Sequence, residues 1–134
     1  MAETEAPKFV WPCLNYADAR AGMRFLVDAL GFEQTALHTG KTDDVIAHAE
    51  VRWPEGGGVM FGSAGREENE FSTKTVGETT VYVVTDDPDA VYQRAVARGA
   101  EIARPLEDTD FGSRTFTVRD PEGNLFTFGT YRGE

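Results

Sequence analysis

The chain repeats itself. Residues 51–62 read VRWPEGGGVMFG and residues 118–129 read VRDPEGNLFTFG, and at a constant offset of 67 seven of the twelve positions are identical. Both segments predict a strand, a tight Pro-Glu-Gly turn and a second strand, with proline early in the turn and glycine after it. A second correspondence lies earlier in each half, at an offset of 68: Asp18 matches Asp86, and Gly31-Phe32-Glu33 matches Gly99-Ala100-Glu101. A change of one residue between two matched blocks is what a loop insertion leaves behind. A duplicated chain must fold as two similar units.

The local signals agree with that division. Residues 8–16 form an apolar, aromatic run of strand length, and Asp18 follows as a helix N-cap. Gly22, Phe25, Leu26, Ala29 and Leu30 then fall at helical spacing over 19–30, until Gly31 stops the helix. In the second half, 79–85 is a β-branched strand, Asp87 a cap and Pro88 a first-turn residue. Val91, Ala95 and Val96 predict the buried stripe of that helix, which Gly99 ends. Three strands follow each helix, near 32–38, 45–53 and 58–63, then near 101–105, 113–119 and 124–131. The expected fold is therefore α+β, built from two tandem βαβββ modules at about 8–64 and 79–131. The polar stretch 65–78 between them reads as a surface linker. Roughly 60 residues bury too little surface to be stable alone, so the modules should pack as one domain over 1–134.

Composition narrows the function classes. Thirteen basic against 23 acidic residues give a net charge of -10, which disfavours nucleic-acid backbones and anionic membranes as partners. No stretch approaches the roughly 18 apolar residues of a membrane helix, and residues 1–8 are too acidic to read as a signal peptide. Cys13 is the sole cysteine, so an internal disulfide and a CxxC zinc site are excluded, and a reducing, cytoplasmic location is expected. The glycine run 56–58 follows Pro-Glu at a hairpin and opens no helix, so it is not a phosphate cradle.

A tandem βαβββ chain of this length resembles the vicinal oxygen chelate superfamily of glyoxalase I, bleomycin-resistance proteins and extradiol dioxygenases. The likeness runs from about Phe9 to Tyr131. Its most specific piece is the turn Asp120-Pro121-Glu122-Gly123-Asn124 leading into Leu125-Phe126, together with the helix endings Leu30-Gly31-Phe32 and Arg98-Gly99-Ala100. The resemblance implies a curved, eight-stranded mixed sheet around a concave cup, with ligands on the concave face, and homodimers are common in such proteins. It also implies a divalent metal held by four positions, two per module, which fall here on Trp11, Met60, Thr80 and Thr127. Indole, thioether and neutral hydroxyls cannot replace imidazole and carboxylate at such a centre. Neither a metal nor another cofactor is expected there, and glyoxalase I and extradiol-dioxygenase chemistry are rejected for that site.

Other residues offer alternatives. The chain has two histidines, His38 and His48. With Glu50 they could make a facial triad, although His38 reads more simply as a surface residue. Strand alternation predicts Val45, Ala47, Ala49, Val51 and Trp53 on one face of the third strand, with Ile46, His48, Glu50 and Arg52 on the other. His48 and Glu50 could act as a general-base pair, or form a polar ladder that shapes a ligand site. By the same parity Phe9, Trp11, Cys13 and Asn15 share a face with Met60, Thr80, Tyr82 and Thr127, an aromatic lining suited to a small organic ligand. Cys13 reads as a buried, inert thiol. Phe111 could lid the cup, and Arg114 could meet an anionic ligand group or pair with Asp108 or Asp110.

Three functions are consistent with these residues. The first is metal-independent binding of an aromatic or cationic small molecule, as in antibiotic sequestration. The second is a lyase, isomerase or hydrolase acting on a small metabolite through His48 and Glu50 or a metal held elsewhere. The third is an interaction module whose cup is plugged by its own side chains.

Overall fold

Each half begins with a strand running into an aspartate cap, and the computed structural model, which describes residues 9–66, 76–110 and 112–133, shows both caps made. The side chain of Asp18 accepts from the Ala21 N–H at 3.1 Å, and that of Asp87 from the Ala90 N–H at 3.0 Å. Among the described residues the chain runs β1 (Cys13–Tyr16), α1 (Ala19–Arg24), β2 (Glu33–Thr39), β3 (Ile46–Arg52), β4 (Gly58–Ser63), β5 (Thr80–Val84), α2 (Pro88–Ala97), β6 (Glu101–Asp108), β7 (Arg114–Arg119) and β8 (Leu125–Gly129). Gly31 and Gly99 end the helical segments with φ of +91° and +77°, a conformation in which any side chain would be strained.

The eight strands form two four-stranded sheets, ordered β1-β4-β3-β2 and β5-β8-β7-β6. In each, the first strand pairs parallel with the last, and the other pairings are antiparallel. The second module therefore reproduces the first strand for strand, as the sequence repeat requires. Residues 67–75, within the expected linker, lie outside the described residues.

Four local details differ from expectation. The first strand starts at Cys13 rather than near residue 8, because Pro12 has no N–H to continue the ladder, which begins with its carbonyl accepting from Met60 N at 2.9 Å. Beyond Arg24 the first helix widens into a π-helical segment, Phe25–Ala29, and Leu30 N reaches back to Phe25 O. Arg94 of α2 donates to the Asp28 and Val27 carbonyls of that segment at 3.2 and 3.5 Å. Val96 is 48% exposed, since it sits five residues past Val91 and so rotates off the stripe that Val91 and Ala95 bury. On β3 the register slips between His38↔His48 and Thr39↔Ile46, a bulge at Ala47. The extra residue inverts the alternation, so Ile46 is fully buried on the core side with Ala49 and Val51.

The modules meet through residues on their helix-covered sides. Phe32 lies 6.4 Å from Phe126 and Trp53 lies 5.3 Å from Phe128, measured between ring centroids. Around these rings the two Pro-Glu-Gly turns make reciprocal clasps. Glu55 accepts from Thr85 Oγ1 at 2.6 Å and Asp86 N at 2.8 Å, while Glu122 accepts from Ala17 N at 2.6 Å and Asp18 N at 2.7 Å. Each turn thus holds the chain just ahead of the other module's helix.

Beside one clasp, Tyr16 is fully buried and its hydroxyl donates to Asp120 Oδ2 at 2.7 Å. Burial, and then the Asp120 carboxylate, hold this phenol protonated well above its ordinary range. Its folded-state value is raised, so its contribution to stability is complete below about pH 10 and is lost as pH climbs further, where only the unfolded chain releases the proton. Tyr16→Phe should lower unfolding free energy by about 1–2 kcal/mol at neutral pH. Denaturant titrations should also show the variant losing less stability than the parent above pH 10; parallel curves would contradict this account.

Candidate functional site

Sheet alternation and the bulge at Ala47 together build a recess on the open face of the first sheet. Across that face Cys13 stands beside Met60 and Met60 beside Glu50; in the next row Asn15 stands beside Gly62, and His48 beside His38. A bulge turns two consecutive side chains to one side, so Ala47 joins His48 here. The resulting hollow, of about 360 Å³, is lined by Cys13, Asn15, Ala47, His48, Met60 and Arg66, with Leu14, Phe61 and Gly62 completing the wall. Its size lies in the range of small-ligand sites.

Two polar groups are fixed at this hollow. His48 Nε2 lies 2.7 Å from Glu50 Oε2, with the side chains 43% and 30% exposed. When the imidazole is neutral, Nε2–H donates to the carboxylate and Nδ1 is the acceptor left for other partners. Arg66 is the second. Its Nη1 donates to Ser63 O at 2.9 Å and occupies the space above Gly62, where a Cβ would lie only 2.7 Å from it.

Cys13 corrects its expectation, because the thiol is exposed rather than buried. It opens β1, the edge strand of its sheet, and faces the hollow with Sγ 3.7 Å from Trp11 O. His38 is exposed, as a surface residue would be, and its ring lies nearly parallel to His48 with centroids 6.3 Å apart. Among the described residues no three His, Cys, Asp or Glu side chains converge as metal ligands.

The remaining candidates are spread out. Trp11 packs over Gly58, where a Cβ would meet its ring at 2.6 Å, and Arg52 stands between Glu33 and Gly58 in register. On the second sheet Thr80 pairs with Leu125 and Tyr82 with Thr127. The Thr127 hydroxyl is 2.8 Å from that of Thr117, and Tyr82 covers Gly129 while donating to Tyr131 O at 2.9 Å. Tyr82 also lines a second recess of about 560 Å³, between the modules, with Phe9, Pro12, Gly56, Val84 and Arg132. Arg114 lines neither recess. It bridges Asp89 at 2.7 Å and Asp108 at 3.2 Å, tying β7 to the first turn of α2 and holding the Asp89 carboxyl below its usual range through that hydrogen bond. Phe111 lies outside the described residues.

Of the four chelating positions implied by the resemblance, Met60 is in the hollow, Trp11 is over Gly58, and Thr80 and Thr127 are on the other sheet. Their donor atoms do not fit a divalent metal, so no chemistry is assigned through one. Cys13, His48 and Met60, candidate ligand residues from the sequence, line this hollow; Arg66 and Ala47 line it too and were not among those candidates. Arg66 follows Gly62, the mate of Gly129 in the repeat, and that shared glycine was the available sign that a side chain must cross the strand there.

Comparison with known proteins agrees with this architecture. The family model for the Glyoxalase/Bleomycin resistance protein/Dioxygenase superfamily matches residues 8–128. Among solved structures, TioX from Micromonospora sp. ML1 is 29% identical with a TM-score of 0.79, over 92% of this chain and 98% of that one. A superfamily member from Sphaerobacter thermophilus DSM 20745 is 24% identical with a TM-score of 0.70, over 92% and 97%. TnmS3 from Streptomyces sp. CB03234, an antibiotic binding protein, is 23% identical with a TM-score of 0.66, over 93% and 97%. No curated protein sequence matches the chain. The duplicated βαβββ fold and the match across nearly its whole length place this chain in the glyoxalase/bleomycin resistance protein/dioxygenase superfamily.

Proposed function

We propose that this chain binds a small organic molecule without a metal, in the hollow on the first sheet, and sequesters it rather than transforming it. The observation that carries this reading is the chemistry of the inherited positions: indole, thioether and two hydroxyls stand where chelating members need imidazole and carboxylate. A thioether is soft and adaptable, so Met60 in the floor of the hollow suits an apolar or aromatic ligand body. The antibiotic binding protein TnmS3 has the same fold, which makes sequestration of an antibiotic-like molecule a coherent use of it. Protein purified without chelator should contain far less than one metal ion per chain by elemental analysis. Its melting temperature should rise with members of a panel of aromatic small molecules. Stoichiometric metal, or a panel without a single stabiliser, would count against the proposal.

The proposed assembly is a cytoplasmic homodimer. Phe9, Val10 and Tyr82 are 42%, 93% and 43% exposed around the recess between the modules, an apolar grouping that a second copy would cover. Light scattering should give twice 14.7 kDa, and a monomer mass would refute it.

A second reading, turnover of a small metabolite, is favoured by one contact, the 2.7 Å pair of His48 and Glu50 beside the hollow. If a substrate is found, His48→Ala should lower kcat by about 100-fold or more, the range of general-base catalysis, and Glu50→Gln by less. Unchanged rates in both variants would remove the pair from any mechanism.

A further inference from the structure

We infer that the ligand of the first-sheet hollow carries a carboxylate, which Arg66 receives; this rests on the hollow being the binding site. The guanidinium is held in place before any ligand arrives. Gly62 has no side chain, and Arg66 fills that space, anchored by the Ser63 carbonyl at 2.9 Å. A guanidinium has five N–H donors in a planar fork, so the anchor leaves others available to a carboxylate. Glu50 turns its carboxylate to His48 Nε2 and is not among the described residues lining the hollow. Among the described residues, the charged side chains lining it are Arg66 and, when protonated, His48, and no described acid lines it.

This local sign opposes that of the chain. A net charge of -10 favours cations at long range, but salt screens that field within about 8 Å at physiological ionic strength. At contact distance the anchored guanidinium dominates. Met60, Ala47 and Phe61 supply apolar surface next to it, so the ligand class is a small organic acid with an apolar or aromatic body. The selectivity follows from charge: a neutral isostere places an amide against a guanidinium that has given up water for it, and a cation is repelled.

Benzoate, benzamide and benzylamine are matched probes in shape and differ in charge. Titrated into isotopically labelled protein and followed by NMR, benzoate should shift the Ala47, His48 and Gly62 amides. Benzamide should bind about tenfold more weakly, a difference of about 1.4 kcal/mol, and benzylamine weaker still. Arg66→Gln should bring benzoate down to the benzamide level, and added salt should weaken benzoate binding to the parent. Benzamide or benzylamine binding as well as benzoate, or Arg66→Gln keeping the benzoate affinity, would overturn the carboxylate assignment while leaving small-molecule binding in the hollow intact. If none of the three probes shifts those amides, both the assignment and the hollow as the site fall. The comparison of probes on the parent protein decides the matter even if the variant does not fold.

Discussion

A carboxylate taken out of water must be met by donors, and Asp120 sets that requirement for the whole chain. It is 3% exposed and accepts from Tyr16 Oη, Asn124 Nδ2 and the backbone N–H groups of Glu122 and Asn124. Asn124 in turn accepts from Thr79 N at 3.0 Å, so the network reaches the start of β5 as well as the end of β1. One buried charge therefore fixes the last turn and ties the end of β1 to the start of β5. A fully satisfied polar network of this kind specifies a single arrangement, because any slip leaves a donor or the charge unpaired in a medium that penalises it.

The repeat is kept where it clasps and broken where it packs. Glu55 and Glu122 do the same work in mirror-related places. Their neighbours two positions earlier differ: Asp120 anchors the polar network, while Trp53 donates its indole N–H to Val84 O at 3.0 Å and otherwise packs against Phe32 and Phe128. One side of the junction is thus held by hydrogen bonds to a charge and the other by aromatic burial. Two identical halves would have doubled the buried charge, whose desolvation is the costlier alternative.

Much of the fold was legible because it is written in short-range signals. The caps Asp18 and Asp87, the stops Gly31 and Gly99 and the Pro-Glu-Gly turns act within a few residues of where they stand. The duplication then supplied the topology, since a second copy of one module must pair its strands as the first does. What alternation alone could not show was the bulge at Ala47, which depends on the partner strand and moves Ile46 to the core. Nor could it show that Cys13 is exposed, a consequence of Pro12 making β1 short and of β1 lying at a sheet edge. Arg66 was invisible for a similar reason: its role depends on the chain folding back over a glycine on the strand it has just left. The partners of Glu55 and Glu122 lie 30 and more than 100 residues away, beyond any local pattern.

Because the modules join through their helix-covered sides, the open face of the first sheet is not part of what holds the chain together. Leu14, Phe61 and Ala49 carry the load from beneath, fully or nearly fully buried, while Cys13, Met60 and His48 stand on the other side of the same strands. The pleat thus separates two kinds of selection along a single strand, with odd positions free to follow a ligand and even positions bound to the fold on β1, and the reverse on β4. Outward residues on such strands can change without renegotiating the core beneath them.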